Sequence, residues 1–287
     1  MAQKNIIKLD DEAFLKLFWK TKFKSNLDLN NPVGYNEKIQ WLKLNDRKDI
    51  YSVMADKYLA KDYVKNIIGE EYIIPTYGVY EKFDDIDFSK LPNQFVMKCN
   101  HDSSSVIICK DKSKFDIKSA RKKITKSLNY NFYNFFREWV YKNIKPVIII
   151  EKYIESGDGL PLKDYKFFCF NGEPKLLYMA EGLENHATAS MSFYDMDMNL
   201  LPIKRKDYKM ITTKPQKPKN YEKMKEIAAK LSKGICHLRV DLYNVNGAIY
   251  FGELTFYTSG GCIPFEKEED NIMIGNYMDL EVVKNEK

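Results

Sequence analysis

The chain has little of what would place a protein in a membrane, outside the cell or around a zinc ion. No apolar run approaches the roughly 18 residues needed to cross a bilayer, and the opening MAQKNIIKLDDEAF has no apolar leader stretch. The five cysteines (Cys99, Cys109, Cys169, Cys236, Cys262) are odd in number, widely spaced and free of any C-x-x-C pair. That pattern excludes a disulfide framework and argues against zinc, so free thiols in a reducing compartment are expected. The three histidines, His101, His186 and His237, are too scattered to form a metal set. G-x-x-x-x-G-K-[ST] is absent, so phosphate binding by a P-loop is excluded. Internal repeats and low-complexity linkers are also missing. A cytoplasmic protein without a transmembrane segment is the expectation.

What is present describes a globular enzyme-sized chain. Its 287 residues are 44% hydrophobic and 30% charged, with 20 Tyr and 17 Phe, a composition that excludes disorder. The length lies near the point where one core divides into lobes. The surplus of basic residues, 46 against 40 acidic for a net +6, suits an anionic ligand such as a nucleotide, a sugar nucleotide, an acidic polysaccharide or a membrane surface. It is too mild to imply nucleic acid. The lysine-rich stretches 110–126 and 204–225 read as solvated faces.

Periodicity gives an α+β order. Residues 10–70 carry helical stripes (Phe14, Leu17, Phe18; NEKIQWLKL; Tyr51 to Ile68), with Gly69 as a C-cap. YIIPTYGVY is extended, and FVMKC and VIICK flank the loop NHDSSS as a hairpin. Residues 117–143 read as helical, VIIIEKYI as a buried strand, 156–161 as a turn, and DYKFFCFN and 174–180 as strands. An irregular excursion over 181–219 and an amphipathic helix over 219–233 follow.

The most informative segment is HLRVDLYNVNGAIYFGELTFYTSGGC, residues 237–262. Alternation puts Arg239, Asp241 and Tyr243 on one face of a strand and Leu238, Val240 and Leu242 on the other. Asn244 to Gly247 tolerate positive φ as a hairpin turn requires. On the returning strand Phe251, Glu253 and Thr255 are read as sharing a face. In that register Asp241 and Glu253 reach one hard cation, with Arg239 as a fixed positive charge beside them. Two carboxylates plus phosphate oxygens suit Mg²⁺, although acids on the wet face of a hairpin have the same pattern. Thr258, Ser259, Gly260 and Gly261 then form a small-residue loop that lets backbone approach a ligand. Both acids are read as facing the cleft surface, so Glu253→Gln and Asp241→Asn are each expected to abolish turnover without disturbing the fold.

Two lysines add to this. Lys98 ends the strand FVMKC before Ser103, Ser104 and Ser105, whose hydroxyls and backbone N–H groups, with its ammonium, could hold phosphate. A lysine snorkelling beside an ordinary turn fits the same residues. Lys166 sits among Phe168 and Phe170 and needs a partner, either Asp164 or a nucleotide phosphate.

R-x-D, a turn, E-x-T and a Gly-rich loop resemble the metal-binding hairpin of ATP-grasp enzymes. Lys98 with the serine loop, then EKYI, Lys166 and the hairpin keep the family's order over residues 98–261. More closely, NPVGYNEKIQWLKL, ADKY, FVMKCNHDSSSVIICKD, REWVYKNIKP, LKDYKFFCFNG and RVDLYNVNGAIYFGELTF resemble the TupA-like ATP-grasp family, associated with teichuronopeptide and other bacterial surface-polysaccharide synthesis. The resemblance implies two α+β sub-lobes sandwiching ATP: residues 1–71 as a helical N-terminal region, 72–150 as the first sub-lobe and 151–287 as the second. It implies that Glu151, Lys152, Tyr153 and Ile154 form the hinge that meets adenine. Lys98, Lys166 and the serine loop would hold phosphates, and Asp241, Glu253 and Thr255 would hold Mg²⁺. Arg239 would stabilise the oxyanion, and Asn100, His101, Asp102, Ser259 and Gly260 would lie near substrate. Thr255 stands where many members have Asn, and the loop has serines where many have glycines.

The activity so implied is a carboxylate-amine ligase acting through an acylphosphate, joining an amino acid or other amine to a uronic acid or acidic group of a surface glycan. Peripheral association with a polysaccharide-synthesis complex would accompany it. A sugar kinase using the same ATP lobes, a glycosyltransferase-like enzyme and a binding protein with a degenerate site are the competing readings.

Overall fold

The computed structural model describes residues 9–156, 162–181, 189–211 and 215–285. Most of the expected turn at 156–161, and residues 182–188 and 212–214 of the expected excursion, lie outside them. The described residues open with four helices, α1 (Asp11–Phe23), α2 (Tyr35–Asn45), α3 (Asp49–Ala55) and α4 (Leu59–Ile68). Asp10 caps α1 by accepting from Ala13 N at 2.8 Å, and Glu37 reaches back to Gly34 N at 2.9 Å at the start of α2.

The first sheet follows: β1 (Thr76–Tyr80), β2 (Phe95–Cys99), β3 (Ile107–Cys109) and, after α5 (Ile117–Leu128) and the single turn α6 (Tyr133–Phe136), β4 (Ile148–Lys152). Its order is β1-β4-β2-β3 with antiparallel pairings. The helical reading of 117–143 therefore holds for α5 and breaks up afterwards. Period-two alternation sorts the faces. Phe95, Met97, Cys99, Ile148 and Ile150 join Ala120 and Ile124 of α5 in one apolar cluster. Val96, Lys98, Ile149 and Glu151 take the opposite face, because Val96 pairs with Glu151 and Lys98 with Ile149.

The second sheet holds β5 (Asp164–Phe170), β6 (Glu173–Glu181), β7 (Ser190–Tyr194), and, after α7 (Tyr221–Ser232), β8 (His237–Val245) and β9 (Ala248–Thr255). The order is β7-β6-β5-β8-β9, again antiparallel. Two short helices, α8 (Glu268–Gly275) and α9 (Glu281–Lys284), close the chain. Asn246 and Gly247, both at positive φ (54° and 98°), make the two-residue turn between β8 and β9, as a right-twisted hairpin demands.

Both faces of this second sheet are covered, which explains why DYKFFCF is apolar at nearly every position. Phe167 packs on Tyr221 of α7, and Cys169 Sγ lies 3.8 Å from Ala228 O of the same helix. On the other face Tyr35 of α2 meets Phe168, Phe170, His237 and Phe265. Residues from Tyr35 to Val64 thus belong to the same hydrophobic cluster as β5 to β9, while α1 keeps a small cluster of Phe14, Leu15, Trp19 and Leu27. All five cysteines are buried and free, as expected.

One strand departs from the sequence reading. The pairing of Asp241 with Glu253 is followed by Leu242 with Phe251, so Gly252 forms a β-bulge. The bulge turns Phe251 to the apolar side with Leu242, away from Glu253 and Thr255. Gly252 suits the position because a Cβ there would lie 3.0 Å from Asp241 O.

The helical N-terminal segment is locked to the C-terminal one by backbone approach. Asn36 bridges them, giving its Nδ2 to Ile263 O at 2.8 Å and accepting from Ile263 N at 2.9 Å. A Cβ on Gly275 would sit 2.5 Å from Val33 O and 2.7 Å from Tyr35 N. Gly275→Val therefore forces α8 off α2, and a loss of about 1–3 kcal/mol is expected from overpacking. Urea unfolding of the variant measures it, and a midpoint equal to wild type would contradict the contact.

Candidate active site

The positions of the charged residues on each sheet are fixed by strand register. Asp241 and Glu253 stand opposite each other on β8 and β9, Lys166 of β5 stands opposite Asp241, and Arg239 pairs with Thr255. Arg239 makes the joint. Its Nε lies 2.7 Å from Asp241 Oδ1, and its Nη2 lies 2.7 Å from both Asp241 Oδ2 and Glu253 Oε1. Lys166 Nζ adds 2.6 Å to Asp241 Oδ2 and a second ion pair to Asp164. Thr255 Oγ1 donates to Glu253 Oε1 at 3.2 Å, and Lys57 Nζ stands 3.4 Å from Glu253 Oε2.

Burial and charge set the protonation states. Burial opposes ionisation of Glu253, but Lys57, Arg239 and Lys166 outweigh it and hold the carboxyl well below its ordinary range. Burial likewise works against the charge on Lys166, and Asp164 and Asp241 overcome it and raise the ammonium above its ordinary value. Asp164 is pushed upward, first by burial and then by Asp241, against the pull of Lys166.

A second cluster sits on the open face of the first sheet. Glu151 accepts from Lys61 Nζ and Lys98 Nζ, each at 2.6 Å, while Lys61 also donates to Ile74 O at 2.8 Å and Thr76 Oγ1 at 2.6 Å. Burial would raise the Glu151 carboxyl, but Lys98 and Lys61 bring it below 4.5 overall. The two clusters meet across the start of α4. Lys57 faces Glu253 and Lys61 faces Glu151. Tyr243, whose hydroxyl is raised by burial, feels Asp164, Glu253, Asp241 and Glu151 together.

The sequence-derived candidates fall into three groups. Arg239, Asp241, Glu253, Thr255 and Lys166 converge, and Asp164 proves to be a partner of Lys166. Asp241 is not surface-facing as expected: it is 2% exposed, since Arg239 and Lys166 close over it, whereas the Glu253 side chain is 28% exposed. Lys98 joins Glu151, whose side chain serves as the anchor of two lysines. The Glu151 backbone is paired on both sides in the sheet, leaving exposed Lys152 and half-buried Tyr153 and Ile154 at the strand's end.

The third group is occupied by internal work. Asn100 gives Nδ2 to Asp56 Oδ2 at 2.7 Å and accepts from Val147 N at 2.9 Å. The His101 ring lies 3.0 Å from Tyr130 O and 3.2 Å from Ser127 O. Asp102 accepts from Ser105 Oγ at 2.5 Å and from Ser127 Oγ. These three residues and Ser105 are buried, so the loop is braced from within, and only Ser103 and Ser104 are exposed at its tip. Ser259 is exposed, but Gly260 is buried: a Cβ there would meet the Phe136 ring at 2.7 Å. The small-residue loop thus makes room for a protein ring, and its Gly260 carbonyl accepts from Lys43 at 2.8 Å and Gln40 at 3.0 Å.

Lys57 and Lys61 were not singled out in the sequence. Their four-residue spacing was the available signal, though both sit in an ordinary-looking helical stretch.

The family model described as TupA-like ATPgrasp matches residues 37–279. No curated protein matches. Among solved structures the chain is similar to the D-alanine-D-alanine ligase of Helicobacter pylori, with 14% identity over 85% of this chain and 69% of that one and a TM-score of 0.44. The D-alanine-D-alanine ligase of Bacillus anthracis complexed with ATP gives 16% identity over 96% and 76%, TM-score 0.46. The ATP-grasp ligase PsnB complexed with minimal precursor, Mg and ADP gives 10% over 77% and 57%, TM-score 0.40.

Two outcomes follow from the ion pairs. Asp241→Asn leaves two buried cations short of a partner and is expected to cost about 3–5 kcal/mol, while Glu253→Gln, more exposed, melts closer to wild type; differential scanning calorimetry separates them. Glu151 has a depressed pKa, so its contribution is present above 4.5 and lost as pH falls through the folded value. The stability gap between wild type and Glu151→Gln is therefore expected to shrink on acidification below pH 4.5, and a gap constant with pH would refute the ion pair.

Proposed function

The chain belongs to the TupA-like ATP-grasp family, and on that premise we propose that it is a ligase that activates a carboxylate as an acylphosphate and joins it to an amine. The observation that carries the reading is the single guanidinium nitrogen of Arg239 at 2.7 Å from both Asp241 and Glu253. It brings two carboxylates and a permanent cation to one point beside Lys166.

The donor set fits Mg²⁺: hard oxygens only, two carboxylates in register and a hydroxyl at Thr255, with the remaining positions left to phosphate oxygens and water. Asp241 and Glu253 would hold the ion, which when bound supplies charge neutralisation to the phosphates. Lys98 and Lys166 would bind phosphate oxygens, and Ser103 and Ser104 would cover them from the loop tip. Lys152, Tyr153 and Ile154, at the boundary between the two sub-lobes, would border the adenine. The substrate carboxylate attacks the γ-phosphorus, ADP leaves, and the resulting acylphosphate presents a good leaving group. An amine nitrogen then attacks the carbonyl carbon and phosphate departs. Arg239 stabilises the oxyanion of the tetrahedral species.

For the substrates, the reading is a uronic acid or other acidic group of a bacterial surface polysaccharide or its precursor, joined to an amino acid or another amine. Supporting it are the family's association with such polymers and the net charge of +6. A cytoplasmic site of action, at the periphery of a polysaccharide-synthesis complex, goes with it; among the described residues no helix is long and apolar enough to cross a membrane.

The test is ATP consumption with Mg²⁺, a panel of uronic acids and hydroxylamine as trap. Hydroxamate together with ADP and phosphate is expected, and Glu253→Gln should lower the rate by about a hundredfold or more. A phosphorylated sugar without hydroxamate would move the assignment to a kinase.

A further inference from the structure

Arg205 has none of the roles given above, yet its guanidinium stands on the face of the second sheet that carries the candidate site. Tyr178 of β6 pairs with Lys166 of β5, and Lys166 pairs with Asp241 of β8, so the three side chains form one row across the sheet. The Tyr178 ring packs against Phe168 and Phe193, with centroids 5.9 and 4.7 Å away, which fixes the place of its hydroxyl. Arg205 Nη1 donates to that hydroxyl at 2.9 Å. The guanidinium therefore sits over β6, one strand beyond Lys166 on the side away from Glu253.

The backbone holds Arg205 from a second direction. It bridges to Phe265, with Lys206 N donating to Pro264 O at 2.7 Å and Glu266 N donating to Lys204 O at 2.9 Å. Phe265 lies on the chain that runs on from the β8–β9 hairpin through Thr258 to Gly261. The arginine is thus clamped between the strand beside Lys166 and the segment that leaves the two carboxylates.

Its hydrogen-bonding capacity is only partly spent. Asp207 accepts from Nε at 2.8 Å and from Nη2 at 2.7 Å, and the rings of Tyr178 and Tyr208 flank the group with centroids at 5.8 and 5.2 Å. A guanidinium has five N–H groups, and these contacts with the Tyr178 hydroxyl use three. Among the described residues the other two, one on each terminal nitrogen, have no acceptor. The Arg205 side chain is 8% exposed. Unspent donors at that depth are costly, and a planar acceptor with two oxygens suits a rigid guanidinium fork.

We propose that Arg205 binds the carboxylate of an α-amino acid acceptor and so selects amino acids over simple amines. This rests on the ligase reading. The carboxylate that reacts has its place beside Asp241, Glu253 and Arg239, where the phosphoryl group is transferred. Neighbouring strands lie about 4.8 Å apart, so Tyr178 is about 10 Å across the sheet from Asp241, and Arg205 marks a second anion position separate from the first. An amino acid spans the two: its nitrogen meets the acyl carbon beside Arg239, and its own carboxylate lies on the side of Arg205. No bond is made or broken at Arg205, so its contribution falls on KM for the amino acid.

Hydroxylamine separates this binding from acylphosphate formation, because it attacks the same acyl carbon and has no carboxylate. Wild type, Arg205→Lys and Tyr178→Phe are compared with Mg·ATP and the uronic acid panel, using hydroxylamine, a set of amino acids or the corresponding carboxamides. Wild type is expected to prefer an accepted amino acid over its carboxamide by about a hundredfold or more in kcat/KM. Arg205→Lys, which keeps the charge and loses the fork, should hold hydroxamate formation within about threefold of wild type and raise KM for the amino acid about tenfold or more. Tyr178→Phe should raise the same KM by a smaller factor. Equal loss of both products in Arg205→Lys, loss of neither, or a wild type that forms hydroxamate but does not favour amino acids over carboxamides would overturn the proposal. A wild type that yields no hydroxamate would instead overturn the ligase reading, and this proposal with it. Thermal melting identifies a variant that fails to fold; should Arg205→Lys do so, Tyr178→Phe, which keeps the guanidinium and removes only its hydroxyl acceptor, decides the comparison.

Discussion

The arrangement depends on Arg239. Its planar fork meets Asp241 in a two-point contact and reaches Glu253 with the same nitrogen that binds Asp241. Only a guanidinium can do this, since a lysine is a point charge without fixed directions. Two carboxylates facing each other on neighbouring strands would repel, and the hairpin can hold them together only because this cation is built into the strand beside them. Lys166 and Lys57 complete the compensation from β5 and from the start of α4.

The cost of gathering so many charges is met by the apolar surroundings. On the face that meets α2 the second sheet offers Phe168, Phe170 and His237 to Tyr35, and the same face turns ionic two residues before Phe168 on β5, at Lys166. The transition from core to site is thus a matter of position along a strand. The first sheet follows the same plan, with α5 on one face and Lys98 and Glu151 on the other. Each sheet carries one mainly apolar face and brings the paired lysines and acids of the site, Lys98 with Glu151 and Lys166 with Asp241, to the opposite one.

How far the sequence disclosed this differs from residue to residue. Alternation over His237 to Tyr243 and the Asn246-Gly247 turn place Arg239, Asp241 and Glu253 correctly, because strand periodicity and turn chemistry are local. The bulge at Gly252 is not local: it depends on how β9 meets β8, so Phe251 was read onto the wrong face. Asn100, His101 and Asp102 look like a polar loop in sequence, and their burial comes from Asp56, Ser127 and Tyr130, residues distant along the chain. Lys57 and Lys61 carry only their four-residue spacing, since what marks them is the pair of acids, Glu253 and Glu151, that folding brings against them.

The segment Asp56 to Lys61 also has a mechanical meaning. In six residues it holds the end of β2 through Asp56 and Asn100, the β8–β9 hairpin through Lys57 and Glu253, and β4 of the first sheet through Lys61 and Glu151. Sliding one sheet past the other would have to break the contacts to one of them, so this short piece of chain works as a staple that fixes the spacing between the two ionic clusters.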